Sequence, residues 1–118
     1  MNSYIRGKIA EIYARFFVTI RGYRIVKKNY VTGYGSGAGE IDFVAVKRKN
    51  IYFFEVKQRS DLTKAAYAIS LHQQKRIVRG AESFLKAYPQ YRNYEIHFAA
   101  VLISFPFSVQ LMRDAWHL

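Results

Sequence analysis

The chain contains no cysteine, and only eight of its 118 residues are acidic. Without cysteine it can form neither disulfide bonds nor thiolate metal sites, and a reducing compartment is permitted. No apolar run approaches the ~20 residues of a membrane-spanning helix. Charges interrupt every apolar run near the N-terminus, so we identify no signal peptide there. We therefore expect a soluble, cytoplasmic protein.

Basic residues, by contrast, are abundant. The chain has 19 lysines and arginines, a net charge of +11 and a sequence pI of about 10.0. A surface field of this sign attracts polyanions, and nucleic-acid-binding domains typically have a pI above ~9. The alternatives are a protein that is basic for solubility and one that docks on an anionic membrane. The membrane alternative is the weakest, because we identify neither a helix with an exposed apolar face nor a lipidation signal. We expect a nucleic-acid partner and no membrane.

The N-terminal segment has the pattern of an amphipathic helix over Ser3 to Arg21. Its large apolar residues recur at helical spacing, at Ile5, Ile9, Ile12, Phe16 and Ile20. Ser3 can cap the start of this helix, and Gly22 can end it.

The remaining patterns predict strands over residues 23–30, 40–47, 51–59 and 94–104, a short last strand over 108–116, and a second helix from Leu62 to Tyr88 before Pro89. The glycine-rich stretch 31–39 predicts a mobile loop, with Tyr34 as a weak candidate for base stacking. It does not predict a phosphate-binding loop, because a strand follows it instead of a helix. We expect a single α/β domain over residues 1–118. Its mixed sheet has about five strands with a helix on each face, and a right-handed crossover makes the third and fourth strands parallel.

Carboxylates interrupt the two most apolar strands. If their hairpin closes with Val46 opposite Ile51, Asp42 falls opposite Glu55 and Glu40 falls opposite Lys57. Two carboxylates this close repel by about 3–4 kcal/mol at an effective dielectric constant of ~20. Either one carboxylate is protonated or a cation lies between them. Oxygen ligands without cysteine or paired histidines favour Mg²⁺ or Mn²⁺.

A purely structural alternative exists for these residues. Glu40 and Lys57 could form a cross-strand salt bridge, and Asp42 could be a partly exposed residue at the start of a strand. However, three of the eight acidic residues lie on two apolar strands. Clustered carboxylates of this kind are typical of functional sites.

The spacing of Asp42 and the Glu55-Val56-Lys57 run resembles the PD-(D/E)xK nuclease signature. The stretches GEIDFVAV, IYFFEVKQR and LHQQKRIVRGAESFL together resemble the YraN-like family of bacterial proteins over nearly the whole chain. This resemblance implies a restriction-endonuclease-like fold, similar to that of archaeal Holliday-junction resolvases. It also implies an Mg²⁺- or Mn²⁺-dependent endonuclease that cuts DNA in preference to RNA, with selectivity for branched structures. Resolvases of similar shape act as dimers, so the resemblance allows a homodimer.

The resemblance implies roles for individual residues. Asp42 and Glu55 correspond to metal ligands, and Lys57 to the residue that positions or activates the attacking water. Glu40 could complete the catalytic site by holding Lys57 or a metal-bound water. Glu11 resembles an extra helical metal ligand of the resolvases.

Glu11 also has an ordinary explanation, a surface pair with Arg15. Gly7, one turn before it, is unfavourable in a helix and suggests close approach to another element. The chain departs from the family where many members read R-F-D, because it has His97-Phe98-Ala99 instead. Full activity is therefore less certain, and a binding module without catalysis is the rival hypothesis.

A basic stripe is predicted on the second helix, where residues recur at i, i+3, i+4 and i+7. Its members are His72, Lys75, Arg76 and Arg79, and Arg59 adds to it from the E-V-K-x-R match. A run of charge is most often a solvated helix face. Without a compensating acidic residue, this one is a candidate surface for binding nucleic-acid phosphates.

Overall fold

The computed structural model describes residues 2–33, 38–106 and 108–116. In chain order the elements are α1 (Ser3–Thr19), β1 (Arg24–Thr32), β2 (Gly39–Lys47), β3 (Asn50–Gln58), α2 (Leu62–Ala66), α3 (Leu71–Ala87), a 3₁₀ turn (Pro89–Tyr91), β4 (Glu95–Ser104) and β5 (Ser108–Trp116). Tyr34 and the centre of the glycine-rich stretch lie outside the described residues.

The five strands form one mixed sheet in the order β1-β2-β3-β4-β5. Only β3 and β4 are parallel, and the other three neighbouring pairs are antiparallel. Val46 lies opposite Ile51, so the predicted hairpin register is confirmed. The expected α/β, restriction-endonuclease-like architecture is also confirmed, with helices against both faces of the sheet.

Each face of the sheet has its own apolar core. On one face, Val44 and Phe53 pack with Ile77 and Phe84 of α3. On the other face the strands contribute Phe43, Ala45, Phe54 and Val56, and α1 contributes Ala10, Ala14 and Val18. Strands that are buried on both faces have near-continuous apolar sequences, which accounts for the composition of β2 and β3.

Two glycines allow α3 to cross the start of β2 at close range. A Cβ atom on Gly39 would lie 2.5 Å from the backbone nitrogen of Gly80, and a Cβ on Gly80 would lie 2.9 Å from the Ile41 side chain. Neither position accommodates a side chain. The contact brings the N-terminal half of α3 beside the first residues of β2.

The predicted single helix from Leu62 to Tyr88 is wrong, because the structure has two helices there. The side chain of Asp61 caps α2 by accepting a hydrogen bond from the Lys64 amide at 2.8 Å. Ser70 caps α3 in the same way, accepting from the Gln73 amide at 3.1 Å. A capping serine supplies a partner for the unpaired amides of a new first turn, so the chain restarts there.

The first helix differs from its prediction at its start and in the face it buries. Its cap is Asn2, which accepts a hydrogen bond from the Ile5 amide at 2.8 Å, whereas Ser3 is the first helical residue. The residues that α1 buries are small or β-branched, namely Ala10, Ala14 and Val18. The large apolar residues predicted to form its core face are exposed, including Ile12 at 60% and Phe16 at 66%. Small residues suit close packing here, because the aromatic side chains of β2 and β3 already fill this core. None of the helices in the described ranges is long and apolar enough to cross a bilayer.

The predicted alternation of β2 holds over most of the strand and fails beside Asp42. Ile41 was expected to share a face with Phe43, but it packs in the α3 core with Val44. The neighbouring strand is irregular at the same level, since Asn29 has a φ of 52°. The sheet therefore loses its regular geometry around Asp42.

Candidate active site

A cleft of about 530 Å³ opens where β2 and β3 separate, between the N-terminal half of α1 and the segment after β3. Its charged lining residues include four carboxylates and two of the basic residues, namely Glu11, Glu40, Asp42, Glu55, Lys57 and Arg59. Every residue that the sequence assigned to catalysis or metal binding lies in this cleft.

Asp42 is placed by the end of the β2–β3 ladder. The last backbone pair of that ladder is Phe43 with Phe54, so the predicted pairing does not continue to Asp42 and Glu55. Instead, Oδ2 of Asp42 accepts a hydrogen bond from the Val56 amide at 2.7 Å. The side chain replaces a strand-to-strand hydrogen bond, which fixes the carboxylate at the mouth of the hairpin.

The carboxyl groups of Asp42 and Glu55 nevertheless meet, as predicted. Burial raises the pKa of Asp42 well above its usual range, and a hydrogen bond and charge repulsion from Glu55 raise it further. The Val56 amide and the Lys57 ammonium act in the opposite direction. The pair therefore holds a proton readily, and a cation that replaced this proton would relieve the same repulsion.

Glu11 reaches this cleft from α1. Its pKa is raised by burial first and then by the negative charge of Asp42, with a smaller effect from Glu40. The ion pairs of the described chain do not include one between Glu11 and Arg15. The interpretation of Gly7 is wrong, since a Cβ there would meet nothing within 4 Å. Gly7 lines the cleft and leaves it open beside Glu11.

Glu40 is held from α3 and does not hold Lys57. Its Oε2 lies 2.8 Å from Nη2 of Arg76, and Nε of Arg76 donates to the Ala38 carbonyl at 3.3 Å. The alternative cross-strand bridge between Glu40 and Lys57 is not among the ion pairs of the described residues. Arg76 therefore fixes the start of β2 against α3, and Glu40 remains a negative charge at the cleft.

The basic stripe on α3 is exposed in its first half. His72 and Lys75 are exposed, whereas Arg76 and Arg79 are half-buried. Ile77, Ala81 and Phe84 are buried on the opposite side of the helix, as predicted. Gln73 lines the cleft, so the stripe starts beside it. Arg59 is exposed at the other rim, immediately after β3.

Three further polar residues of the cleft were missed by the sequence analysis, namely Ser3, Arg6 and Gln73. Ser3 could have been found, because it lies one helical turn before Gly7 and two before Glu11. Gln73 had no comparable signal, since its position depends on the contact between Gly39 and Gly80.

The donor set fits a hard divalent cation that needs few protein ligands. Within the described ranges, no group of three or more histidine or acidic side chains is assembled to hold a metal. Magnesium typically binds one or two carboxylates, several waters and substrate phosphate. Asp42 and Glu55 supply that minimum, and the described cleft lining contains no imidazole that would favour zinc. The residues present therefore fit Mg²⁺ or Mn²⁺.

The sheet and its flanking helices define this chain as a restriction-endonuclease-like domain. The YraN family, described as "Uncharacterised protein family UPF0102", matches residues 10–103, and the chain belongs to this family. A UPF0102 protein of Rhodopseudomonas palustris is 45% identical over 98 residues, which are 83% of this chain and 72% of that protein. A UPF0102 protein of Paramagnetospirillum magneticum is 37% identical over 114 residues, which are 96% of this chain and 88% of that protein. These names state the family and no activity.

Proposed function

We propose that this protein is an Mg²⁺- or Mn²⁺-dependent nuclease that hydrolyses phosphodiester bonds, with DNA favoured over RNA as its substrate. The observation that supports this best is the meeting of Asp42, Glu55 and Lys57 in one open cleft. Two carboxylates with a hydrogen-bonded proton and an adjacent ammonium group are costly to maintain in a fold. They are well suited to binding a cation and a phosphate together.

Asp42 and Glu55 would hold the cation, and the Val56 amide would keep Asp42 in its binding orientation. A divalent cation bound there would neutralise charge on the scissile phosphate and acidify a bound water. The Lys57 ammonium would orient the attacking water and offset negative charge that develops on the phosphate. Glu11 approaches the pair from the opposite wall and could accept a hydrogen bond from a water in the cleft.

The exposed basic residues support a nucleic-acid substrate. Lys75 and His72 lie at one side of the cleft on α3, and Arg59 lies at the other. Cations placed this way contact phosphates and position the backbone without reading base sequence. Together with the similarity to the resolvases, this arrangement favours a substrate chosen by its shape, such as branched DNA.

A second function has specific support, namely nucleic-acid binding without catalysis. The absence of a three-ligand cluster from the described residues is expected if the metal site has been lost. The Asp of the family's fourth-strand motif is replaced by Ala99, which is buried in the α1 core. In this case the basic residues would still bind nucleic acid, and Asp42→Asn would leave binding unchanged.

Cleavage assays with Mg²⁺ or Mn²⁺ test the proposal on four substrates: four-way DNA junctions, linear duplex DNA, single-stranded DNA and RNA. We expect the wild-type protein to cut DNA, with a preference for the junction. Asp42→Asn and Lys57→Ala should each reduce the rate by at least ~10²-fold, the usual effect of removing one group that stabilises transition-state charge.

Matched controls separate these effects from a change in overall charge. Glu95 is exposed at the start of β4, and Lys86 is exposed in the last turn of α3, so both lie outside the cleft lining. Glu95→Gln and Lys86→Ala should cut at the wild-type rate. If the wild-type protein binds these substrates but cuts none of them with either metal, the non-catalytic function is the correct one.

A further inference from the structure

The first helix has two apolar faces, and only one of them contacts the sheet. Its inner face consists of Ala10, Ala14 and Val18, all buried. The large residues on the opposite side form what we call the outer face of α1, which comprises Ile5, Ile9, Ile12, Tyr13, Phe16 and Ile20. All six side chains are exposed, with Phe16 the most exposed of them at 66%.

This outer face is larger than the apolar patches of an ordinary monomer surface. Large apolar side chains present about 150–200 Å² each when fully exposed, so six of them at roughly half exposure present about 500 Å². The largest patch on a typical monomer is already ~300–600 Å², and such patches are often functional. A helix that is apolar on all sides is normally covered on all sides.

We propose that a second copy of this chain covers the outer face, and that the two copies of α1 pair antiparallel about a two-fold axis near Ile12 and Tyr13. A standard interface buries about 800 Å² on each partner. The outer face supplies more than half of that area, and the rims of the adjoining recesses supply the remainder. In an isologous dimer the same surface serves both partners, so one exposed face is sufficient.

The spacing along the helix suits such a pair. Ile5, Ile9, Ile12 and Phe16 follow one another at intervals of four, three and four residues, which is the seam spacing of paired helices. With the axis between Ile12 and Tyr13, the antiparallel arrangement places Ile9 opposite the partner's Phe16. The same arrangement places Ile5 opposite the partner's Ile20.

Two recesses beside the seam favour the antiparallel direction. One, of about 490 Å³, lies next to Ile9 and is bordered by Phe105 and Pro106. The other, of about 480 Å³, lies next to Phe16 and is bordered by Ile25. In an antiparallel pair, each copy presents Phe16 to the recess beside Ile9 of the other. A parallel pair would bring each recess against its own copy.

Charge gives the dimer a distinctive salt dependence. Each chain has a net charge of +11, so two copies repel one another, and salt screens this repulsion. Apolar contacts at the seam are not weakened by moderate salt. Dimerisation should therefore strengthen as salt rises, whereas attachment of the same basic protein to an anionic membrane should weaken.

Sedimentation equilibrium measures the proposal directly. The wild-type protein should sediment at twice the 13.8 kDa mass of one chain, with tighter association at 0.5 M than at 0.1 M sodium chloride. Ile12→Glu and Phe16→Glu should each raise the dimer dissociation constant at least 100-fold. Leu71→Glu, on an apolar residue of α3 that is 65% exposed, is the matched control and should leave the dimer unchanged. Thermal unfolding verifies that each variant folds.

Cross-linking tests the direction of the helices, because the chain has no cysteine of its own. On mild oxidation, Ile12→Cys should form a disulfide-linked dimer. A mixture of the Ile5→Cys and Ile20→Cys proteins should cross-link between the two, whereas Ile5→Cys alone should not.

Three results would overturn the proposal. The first is a wild-type protein that stays monomeric at 100 µM in both salt concentrations. The second is a dimer that Ile12→Glu and Phe16→Glu leave intact. The third is a monomer that binds phosphatidylglycerol vesicles through Phe16, with binding lost in high salt, which would assign the outer face to a membrane.

Discussion

The two ends of the β2–β3 hairpin are built from adjacent residues and behave as opposites. At the closed end the backbone ladder runs without interruption from Lys47–Asn50 to Phe43–Phe54. Its side chains are almost all buried and apolar. At the open end the ladder stops, and carboxylates and a lysine line a cleft. The change takes place within one residue on each strand.

This contrast shows how the fold makes room for charge. Regular pairing would place Asp42 and Glu55 inside the sheet, where both would be deprived of water. Ending the ladder one pair earlier turns the Asp42 carboxylate toward the Val56 amide and opens the strands to solvent. The closed end stabilises the hairpin, and the open end is free to bind a ligand.

The largest predicted effect comes from two substitutions side by side on β3. Phe54 is fully buried and stacks on Phe43 with 4.6 Å between ring centroids. Phe54→Ala should lower the free energy of unfolding by about 3–5 kcal/mol, because it leaves a cavity in the core. Glu55→Gln, one residue on, should change it by less than ~1 kcal/mol. Urea denaturation measures both, and equal losses would contradict the division of the hairpin into two ends.

The second prediction concerns Asp42 and pH. The pKa of Asp42 is raised in the folded protein by burial and by Glu55, so the folded state retains a proton that the unfolded chain releases. Stability should therefore fall as pH rises from the usual aspartate value, near ~3.9, through the raised folded value. Asp42→Asn removes the titration but keeps an oxygen for the Val56 amide. In EDTA at pH 7 it should raise the melting temperature by roughly 4 °C, the equivalent of about 1 kcal/mol for a domain of this size.

Denaturation curves between pH 4 and pH 8 distinguish this effect from a general change in charge. The slope of stability against pH should become shallower in Asp42→Asn without vanishing, because the pKa of Glu11 is raised in the same direction. The control Glu95→Gln should keep the wild-type slope. An Asp42→Asn protein that is less stable than wild type at pH 7 would show that the carboxylate supports the fold.

The smallest predicted effect compares two neighbours on the basic stripe. Lys75 is exposed, whereas Arg76 is bound to Glu40. Lys75→Ala should reduce the slope of log affinity for DNA against log salt by about 1, the loss of one phosphate contact. Arg76→Ala should instead lower the melting temperature, because it releases β2 from α3. Fluorescence anisotropy at four salt concentrations measures the slope, and an unchanged slope for Lys75→Ala would remove this residue from the interface.

Much of the sheet could be predicted from sequence because its signals are local. Apolar runs bounded by turn residues indicated the strands, and the short KRKN turn fixed the register between Val46 and Ile51. That register alone predicted that Asp42 and Glu55 would meet. The orientation of α1 could not be predicted in this way. Its most periodic residues, such as Ile12 and Phe16, favour burial, yet the aromatic side chains of the sheet leave space only for small residues such as Ala10.

The partners of the charged residues were harder to predict than their positions. Pairing rules favoured Lys57 as the partner of Glu40, but Arg76 is 36 residues further along the chain from Glu40 and reaches it across the helix–sheet contact. That contact depends on two glycines, Gly39 and Gly80, whose close approach no local pattern indicates. Tertiary packing thus decided which cations serve the fold and which remain available to a ligand.

Calorimetric titration of Mn²⁺ into the wild-type protein and into Asp42→Asn tests the central claim most directly, because it requires no knowledge of the substrate. A metal that replaces the proton shared by Asp42 and Glu55 should bind the wild-type protein at a saturable site, more tightly at pH 8 than at pH 5.5, and should not bind Asp42→Asn measurably. Equal Mn²⁺ binding by the two proteins, or none by the wild type at millimolar metal, would show that these carboxylates are not a metal site.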